Sequence, residues 1–139
     1  MNDFGQVPKV WLDFMDRDHE AATEITNRLM AEVDQSFPDK NKITAGLKQL
    51  LEHCQEHFAN EEEHMQRYHF PPYRIHKAEH ERVLAEMNTE LTAWCDSHDI
   101  VRLKSYLFRV LSNWFVDHTA TMDMATAGYI INAGGSLGE

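Results

Sequence analysis

Two amphipathic segments and the turn between them occupy residues 43–94, which read ITAGLKQLLEHCQEHFANEEEHMQRYHFPPYRIHKAEHERVLAEMNTELTAW. Apolar residues recur every three or four positions on both sides of Pro71-Pro72, a spacing that places them on one face of an α-helix. Because proline lacks the backbone N–H that a helix interior needs, the Pro-Pro pair predicts the end of one helix and the start of the next. The stretch therefore predicts a helical hairpin, with helices at 40–68 and 72–97.

The same helical period continues on both sides of the hairpin and predicts further helices at 12–36 and 99–127. The first has an apolar face of Met15, Ala22, Ile25, Leu29, Val33 and Phe37. The last has an apolar face of Leu103, Leu107, Val110, Leu111, Trp114, Met122 and Ala125. Because short connections make successive helices antiparallel neighbours, we predict an all-α, up-down-up-down four-helix bundle. Residues 1–139 are expected to form this single domain, with a short C-terminal tail.

The composition is that of a water-soluble globular chain. It has 139 residues, of which 42% are hydrophobic, and its mean hydropathy is −0.54. With 13 basic and 23 acidic residues the formal charge is 13 − 23 = −10, which disfavours nucleic acid as a partner. No apolar run approaches the ~18 residues of a membrane span, and the first residues do not resemble a signal peptide. Two cysteines fit a reducing compartment, so we expect a cytoplasmic protein.

Polar residues replace apolar ones at core positions of the hairpin. The core face of the second predicted helix reaches His57 and Glu61, and that of the third includes His76 and His80. Residues four apart lie on one face of a helix, so each pair directs two ligand-type side chains at one point.

Two more of the nine histidines are predicted to join this layer. His19 lies early in the first helix and His118 late in the fourth, and the up-down topology brings these segments to the same end of the bundle. Burying so many ionisable groups is costly unless they are paired or coordinate metal, so the sequence predicts a metal site. Asp123 follows His118 by five residues, a rotation of about 140° in an α-helix, and could reach the site only from its edge or through a local distortion.

The order and spacing of these residues resemble those of the hemerythrins, in particular the single-domain bacteriohemerythrins. The shared pattern is His19, His57-x-x-x-Glu61, His76-x-x-x-His80 and His118-x-x-x-x-Asp123. The surrounding motifs Asp16-x-x-His19, His57-Phe58-Ala59-Asn60-Glu61-Glu62 and Trp114-x-x-x-His118 also agree, so that the likeness runs from 16 to 123.

The resemblance implies a non-heme centre of two iron ions per chain, bridged by an oxo or hydroxo group. It also implies reversible O2 binding for storage, delivery or sensing, rather than an enzyme as the primary function. One iron would be held by three histidines and the other by two, with two bridging carboxylates: His76, His80 and His118; His19 and His57; Glu61 and Asp123. Phe115 stands where the family commonly places leucine against bound O2, so Phe115 and Trp114 are candidates for the lining of an O2 pocket.

Other functions compete for the same residues. A di-iron oxidase, a peroxidase or a nitric-oxide-reactive enzyme is the main alternative, although five histidines to two carboxylates disfavours high-valent iron. His76-Lys77-Ala78-Glu79-His80 also fits the H-x-x-E-H zinc-protease pattern, with Glu79 as general base. A sensor that signals to a separate protein is a third class.

Several remaining polar residues are expected to be structurally ordinary. Glu62 and Glu63 extend a charge run typical of a solvated helix face, and His64 is expected to face solvent near a helix end. His53 is expected to be partly exposed, and Cys54 to be a small core residue.

Overall fold

The computed structural model of the protein describes residues 7–135 as a bundle of four helices without strands. They are α1 (Asp13–Val33), α2 (Lys40–Arg67), α3 (Tyr73–Ser97) and α4, which spans 100–132. α1 packs on α2 and α2 on α3, while α4 closes the bundle against the other three. The predicted all-α four-helix bundle is confirmed. Residues 1–6 and the end of the predicted tail, 136–139, lie outside the described residues.

Two aspartates start helices at the end of the bundle away from the predicted histidine layer. The carboxylate of Asp39 accepts hydrogen bonds from the backbone N–H groups of Asn41 and Lys42 at the start of α2. Asp99 does the same at the start of α4. Each carboxylate satisfies backbone donors that have no partner within the helix, which fixes where α2 and α4 begin.

α4 contains two π-helical segments. Tyr106–Leu111 and Thr119–Asp123 are π-helical, and they separate the α-helical segments Ile100–Ser105, Ser112–His118 and Met124–Asn132. A π segment inserts one residue, so the residues that follow it turn by about 100° relative to an uninterrupted α-helix. For this reason Val110 and Ala125, which the uniform helical period predicts in the core, are exposed.

The ends of the first and last helices differ from the predicted ones. α1 ends at Val33 instead of 36, and Phe37, predicted on the core face, is 94% exposed in the loop before Pro38. α4 continues to Asn132 instead of stopping at 127. It ends where Gly134 takes a φ of +97°, a left-handed conformation that glycine adopts without a steric penalty.

The apolar core has two parts, and the predicted histidine layer lies between them. The larger cluster includes Leu29, Leu50, Met87 and Leu107. The smaller cluster joins the segment before α1 and the first turn of α1 to the end of α4, and it comprises Val10, Leu12, Phe14, Met15, Ala127 and Ile130. None of the helices within residues 7–135 is long and apolar enough to cross a membrane.

Candidate metal centre

The structure brings all seven residues of the predicted ligand set into one buried layer. Each side chain is between 0% and 6% exposed. The seven are His19 on α1, His57 and Glu61 on α2, His76 and His80 on α3, and His118 and Asp123 on α4. Every helix of the bundle therefore contributes at least one side chain to the layer.

The two oxygens of Glu61 face different histidines. Oε2 lies 3.0 Å from Nε2 of His57 and 3.5 Å from Nε2 of His19. Oε1 lies 3.2 Å from Nε2 of His80 and 3.7 Å from Nε2 of His76. One carboxylate thus stands between two groups of imidazoles and presents one oxygen to each.

Asp123 divides its oxygens in the same way. Oδ2 lies 2.9 Å from Nε2 of His19, whereas Oδ1 lies 3.1 Å from Nε2 of both His76 and His118. Potential ligand atoms therefore form two clusters that share Glu61 and Asp123. One adds three histidines and the other adds two: His76, His80 and His118; His19 and His57.

The second π-helical segment explains how Asp123 reaches the layer. In an α-helix the fifth residue after His118 would point away from it, but Thr119–Asp123 is π-helical. A π turn closes from residue i to i+5, so positions five apart align much as positions four apart do in an α-helix. This π turn is the local distortion through which Asp123 was expected to be able to reach the site. The spacing of apolar residues in the sequence does not predict it.

The donor atoms of the layer fit metal ions better than they fit each other. Both oxygens of Glu61, Oδ1 of Asp123, and Nε2 of His19 and of His80 are buried without a well-directed hydrogen bond in the described chain. Each of these atoms belongs to a residue of one or both clusters of potential ligands. Buried polar atoms are normally satisfied, and imidazole with carboxylate is a usual donor set for divalent transition metals such as iron and zinc.

The histidines and carboxylates of the layer stabilise each other's charged forms. Burial disfavours the charged form of His19, but contacts with Asp123 and Glu61 outweigh it and raise its pKa to about 9. Burial also opposes charge on His57, yet attraction to Glu61 and a contact with Asp18 raise its pKa to about 10. Burial alone would raise the pKa of Glu61, but the charge of His57 and contacts with other histidines hold it well below its usual value. Because metal binds unprotonated imidazole, a metal ion competes with these protons.

Three histidines are oriented by hydrogen bonds at the ring nitrogen that faces away from the layer. Nδ1 of His57 lies 3.0 Å from Oδ2 of Asp18, and Nδ1 of His80 lies 2.9 Å from Oε2 of Glu62. Nδ1 of His76 lies 2.8 Å from the Thr126 hydroxyl oxygen. Such partners fix the tautomer so that Nε2 is left to bind metal.

The sequence analysis did not identify Asp18, Glu62 and Thr126 as hydrogen-bond partners of these histidines. Glu62, predicted on a solvated face, is largely buried against His80 and also pairs with Lys77; Glu63 is exposed as predicted. Asp18 and Glu62 each adjoin a ligand candidate in sequence. That adjacency was an available signal, but neighbours on a helix usually face different directions, and only the structure shows these two turning inward.

Replacing Asp18 by asparagine is expected to weaken metal binding 10- to 100-fold, because His57 loses the carboxylate that orients it and raises its basicity. Competition with a chromophoric chelator measures the dissociation constant. Asp13→Asn, an exposed change on the same helix, is the control and should bind as the parent does. Equal affinity in both variants would show that the Asp18 contact has no part in metal binding.

Trp114 and Glu79 interact with each other at the edge of the layer. The indole Nε1 of Trp114 donates a 2.7 Å hydrogen bond to Oε2 of Glu79, and Arg82 binds both oxygens of that carboxylate. Glu79 is thereby directed away from the buried donors, which removes the general base of the H-x-x-E-H alternative. Phe115 is buried in the larger apolar cluster, one turn before His118.

Three other expectations have different outcomes. His64, expected to face solvent, is buried, with its ring stacked on Phe14 at a centroid distance of 4.0 Å. The prediction was wrong because Phe14, in the first turn of α1, packs over this end of α2. His53 is partly exposed, as expected, and its Nε2 contacts the Asp18 backbone oxygen at 3.0 Å. Burial raises the pKa of the Cys54 thiol to about 12, so that this core cysteine is unreactive.

Fold and site together define a helical-bundle protein with a buried metal-binding centre. The family model "Hemerythrin HHE cation binding domain" matches residues 11–129. A bacteriohemerythrin of Aquifex aeolicus (strain VF5) is 29% identical over 122 residues, which cover 88% of this chain and 92% of the relative. A bacteriohemerythrin of Ralstonia nicotianae (strain ATCC BAA-1114 / GMI1000) is 29% identical over 117 residues, covering 83% and 84%. No solved structure matches the chain significantly.

The chain belongs to the hemerythrin family, as the match over most of its length shows. The predicted family is therefore confirmed, and the buried histidine and carboxylate layer is the candidate for its metal centre.

Proposed function

We propose that the chain binds two iron ions in this layer and uses them to bind O2 reversibly. The observation that supports this most directly is the division of the carboxylate oxygens. Glu61 and Asp123 each present one oxygen to a group of three histidines and the other to a group of two. Two metal ions bridged by two carboxylates would use this arrangement fully.

The two metal positions differ in the number of protein ligands. The first cluster offers three imidazoles and the second offers only His19 and His57, while both share the same carboxylates. The second position therefore has one protein ligand fewer, and we expect an external ligand to bind there. When bound, a pair of ferrous ions supplies the two electrons that reversible O2 binding requires.

The surrounding side chains suit ligand binding without turnover. Five neutral imidazoles against two carboxylates favour ferrous iron over high-valent states. The rings of Phe58 and Trp114 cover His80 and His118 and keep water from that side of the layer. The free cysteines Cys54 and Cys95 suit action in the reducing cytoplasm.

The test is a visible spectrum of the iron-loaded, reduced protein before O2, after O2 and after flushing with argon. The proposal expects a colourless form that colours with O2 and bleaches again under argon. Colour that persists after flushing would contradict it and favour an oxidase, peroxidase or nitric-oxide-reactive function. No iron-dependent colour would remove the di-iron assignment altogether.

Replacing Phe115 by leucine is expected to shorten the autoxidation half-life of the O2-bound protein severalfold. The smaller side chain leaves space one turn before His118 that water can occupy. The half-life is read from the decay of the O2-dependent absorption band. Phe108→Leu, a partly buried change on the same helix, is the control. An unchanged half-life in Phe115→Leu would place Phe115 outside the O2 pocket.

A further inference from the structure

The five histidines of the layer are not all oriented by the same means. His57, His76 and His80 have hydrogen-bond partners at Nδ1. Within residues 7–135 Nδ1 of His19 is buried without a hydrogen-bond partner. None is found there for Nδ1 of His118 either, although its Nε2 stands among the donor atoms, 3.1 Å from Oδ1 of Asp123. A different interaction can orient the His118 ring toward a metal ion.

A stacked indole provides this interaction for His118. The ring of Trp114 lies nearly parallel to the ring of His118, with centroids 4.4 Å apart and an angle of 16° between the planes. Trp114 precedes His118 by four residues within the α-helical segment Ser112–His118, so that the two side chains lie one above the other. Turning the imidazole out of its present plane would break this stack.

The indole is itself held at two points. Its Nε1 donates to Oε2 of Glu79 on α3, and Arg82 fixes that carboxylate through a two-point contact of 2.7 and 2.9 Å. Its ring also meets Phe58 of α2 edge to face, with centroids 5.9 Å apart, and Phe58 stacks on His80 at 4.0 Å. The indole is thus fixed by two helices other than its own.

We propose that Trp114, anchored by Glu79, is a positioning residue for His118 and does for this ligand what hydrogen bonds do for His57, His76 and His80. Trp114 orients the imidazole through the stack, and Glu79 determines where the indole lies. This inference rests on the proposed binding of two iron ions, but it does not depend on O2 binding. It predicts that loosening the indole accelerates metal loss from the three-histidine position.

The test measures iron release from the ferrous protein to a chromophoric chelator under argon. Trp114→Phe retains an aromatic ring but loses the Nε1 donor, and one of the two irons is expected to leave about tenfold faster. Removing a residue that orients a metal ligand typically lowers metal affinity about 10- to 100-fold. Trp94→Phe is the matched control. Trp94 is equally an indole with one hydrogen bond, to Thr44, but it lies in the other half of the bundle.

Substitutions of Glu79 distinguish a positioning role of Trp114 from a purely structural one. Glu79→Ala removes the acceptor and should release iron as fast as Trp114→Phe, and the double variant should be no faster than either single one. Glu79→Gln keeps an acceptor oxygen and should restore slow release. A merely structural role would instead lower the thermal stability of the apoprotein in Trp114→Phe and Trp94→Phe alike, without this rescue.

The outcomes separate this inference from the proposed function. Iron release that is unchanged in Trp114→Phe, or equally accelerated in Trp94→Phe, would overturn the positioning role even if the protein binds O2 reversibly. Accelerated release with rescue by Glu79→Gln would support the role even if no O2 binds. A parent protein that binds no iron would overturn both.

Discussion

Replacing Glu61 by alanine is expected to abolish metal binding at both positions. Its two oxygens face the two histidine groups, so that a single truncation removes a charged ligand from each. The loss should exceed the 10- to 100-fold effects typical of outer partners, leaving fewer than one iron per chain after desalting. Elemental analysis against protein concentration provides the measurement, and circular dichroism checks that the bundle remains helical.

Glu63→Ala is the matched control for this experiment. Glu63 is an exposed glutamate on the same helix that pairs with Arg67 and faces away from the layer. It should leave the iron content at two per chain. Two irons retained by Glu61→Ala would show that the carboxylate does not bridge the metal positions.

Deleting Ala120 is expected to leave the protein folded and able to bind metal, which is unusual for a deletion inside a core helix. Ala120 is exposed within the π-helical segment Thr119–Asp123. Removing one residue would convert that turn to α-helix and bring Asp123 to the fourth position after His118, on the same face. The π segment contains one residue more than an α-helical turn would need over the same span. The deletion therefore retains the packing of 124–132. We expect the thermal midpoint to change by less than about 5 °C, the effect of roughly 1 kcal/mol.

Deleting Glu81 provides the contrast, because α3 is α-helical throughout. Every later residue of α3 would turn by about 100°, which removes Val83, Met87 and Trp94 from the core. Each loss of a large buried side chain costs about 2–5 kcal/mol, and three together approach the whole stability of a domain. Cooperative unfolding should disappear in this variant. Similar damage from both deletions would contradict the register argument.

The sequence predicted the features that depend on uniform periodicity. The spacing of apolar residues and the short connections were enough to predict the bundle. The presence of His57, His76 and His118 at core positions was enough to predict a polar layer at one end. These inferences succeed because an α-helix repeats at a constant angle, so that sequence position determines direction. The same logic placed Val110 and Ala125 in the core, where it failed, because the two π segments of α4 change that angle.

Asp123 shows most clearly what the sequence could not supply from its pattern alone. Resemblance to a family included it, whereas periodicity excluded it, and the structure reconciles the two through a single π turn. Glu62 and Asp18 were missed for a different reason. Whether a charged side chain on a helix flank turns toward solvent or toward a buried imidazole depends on the neighbouring helix, which the sequence does not position to within a hydrogen-bond length.

The contribution of every helix to one layer affects how the protein persists in a cell. Metal bound there would join positions 19 and 123, which are 123 − 19 = 104 residues apart. A covalent link closing a loop of about 100 residues stabilises a fold by roughly 4–5 kcal/mol in the chain-entropy treatment, and a coordinated ion acts in the same sense while it stays bound. If the metal is iron, as proposed, iron starvation would remove a cross-link and leave two apolar clusters joined by a charged layer. The lifetime of the protein under proteolysis would then be coupled to the supply of its metal.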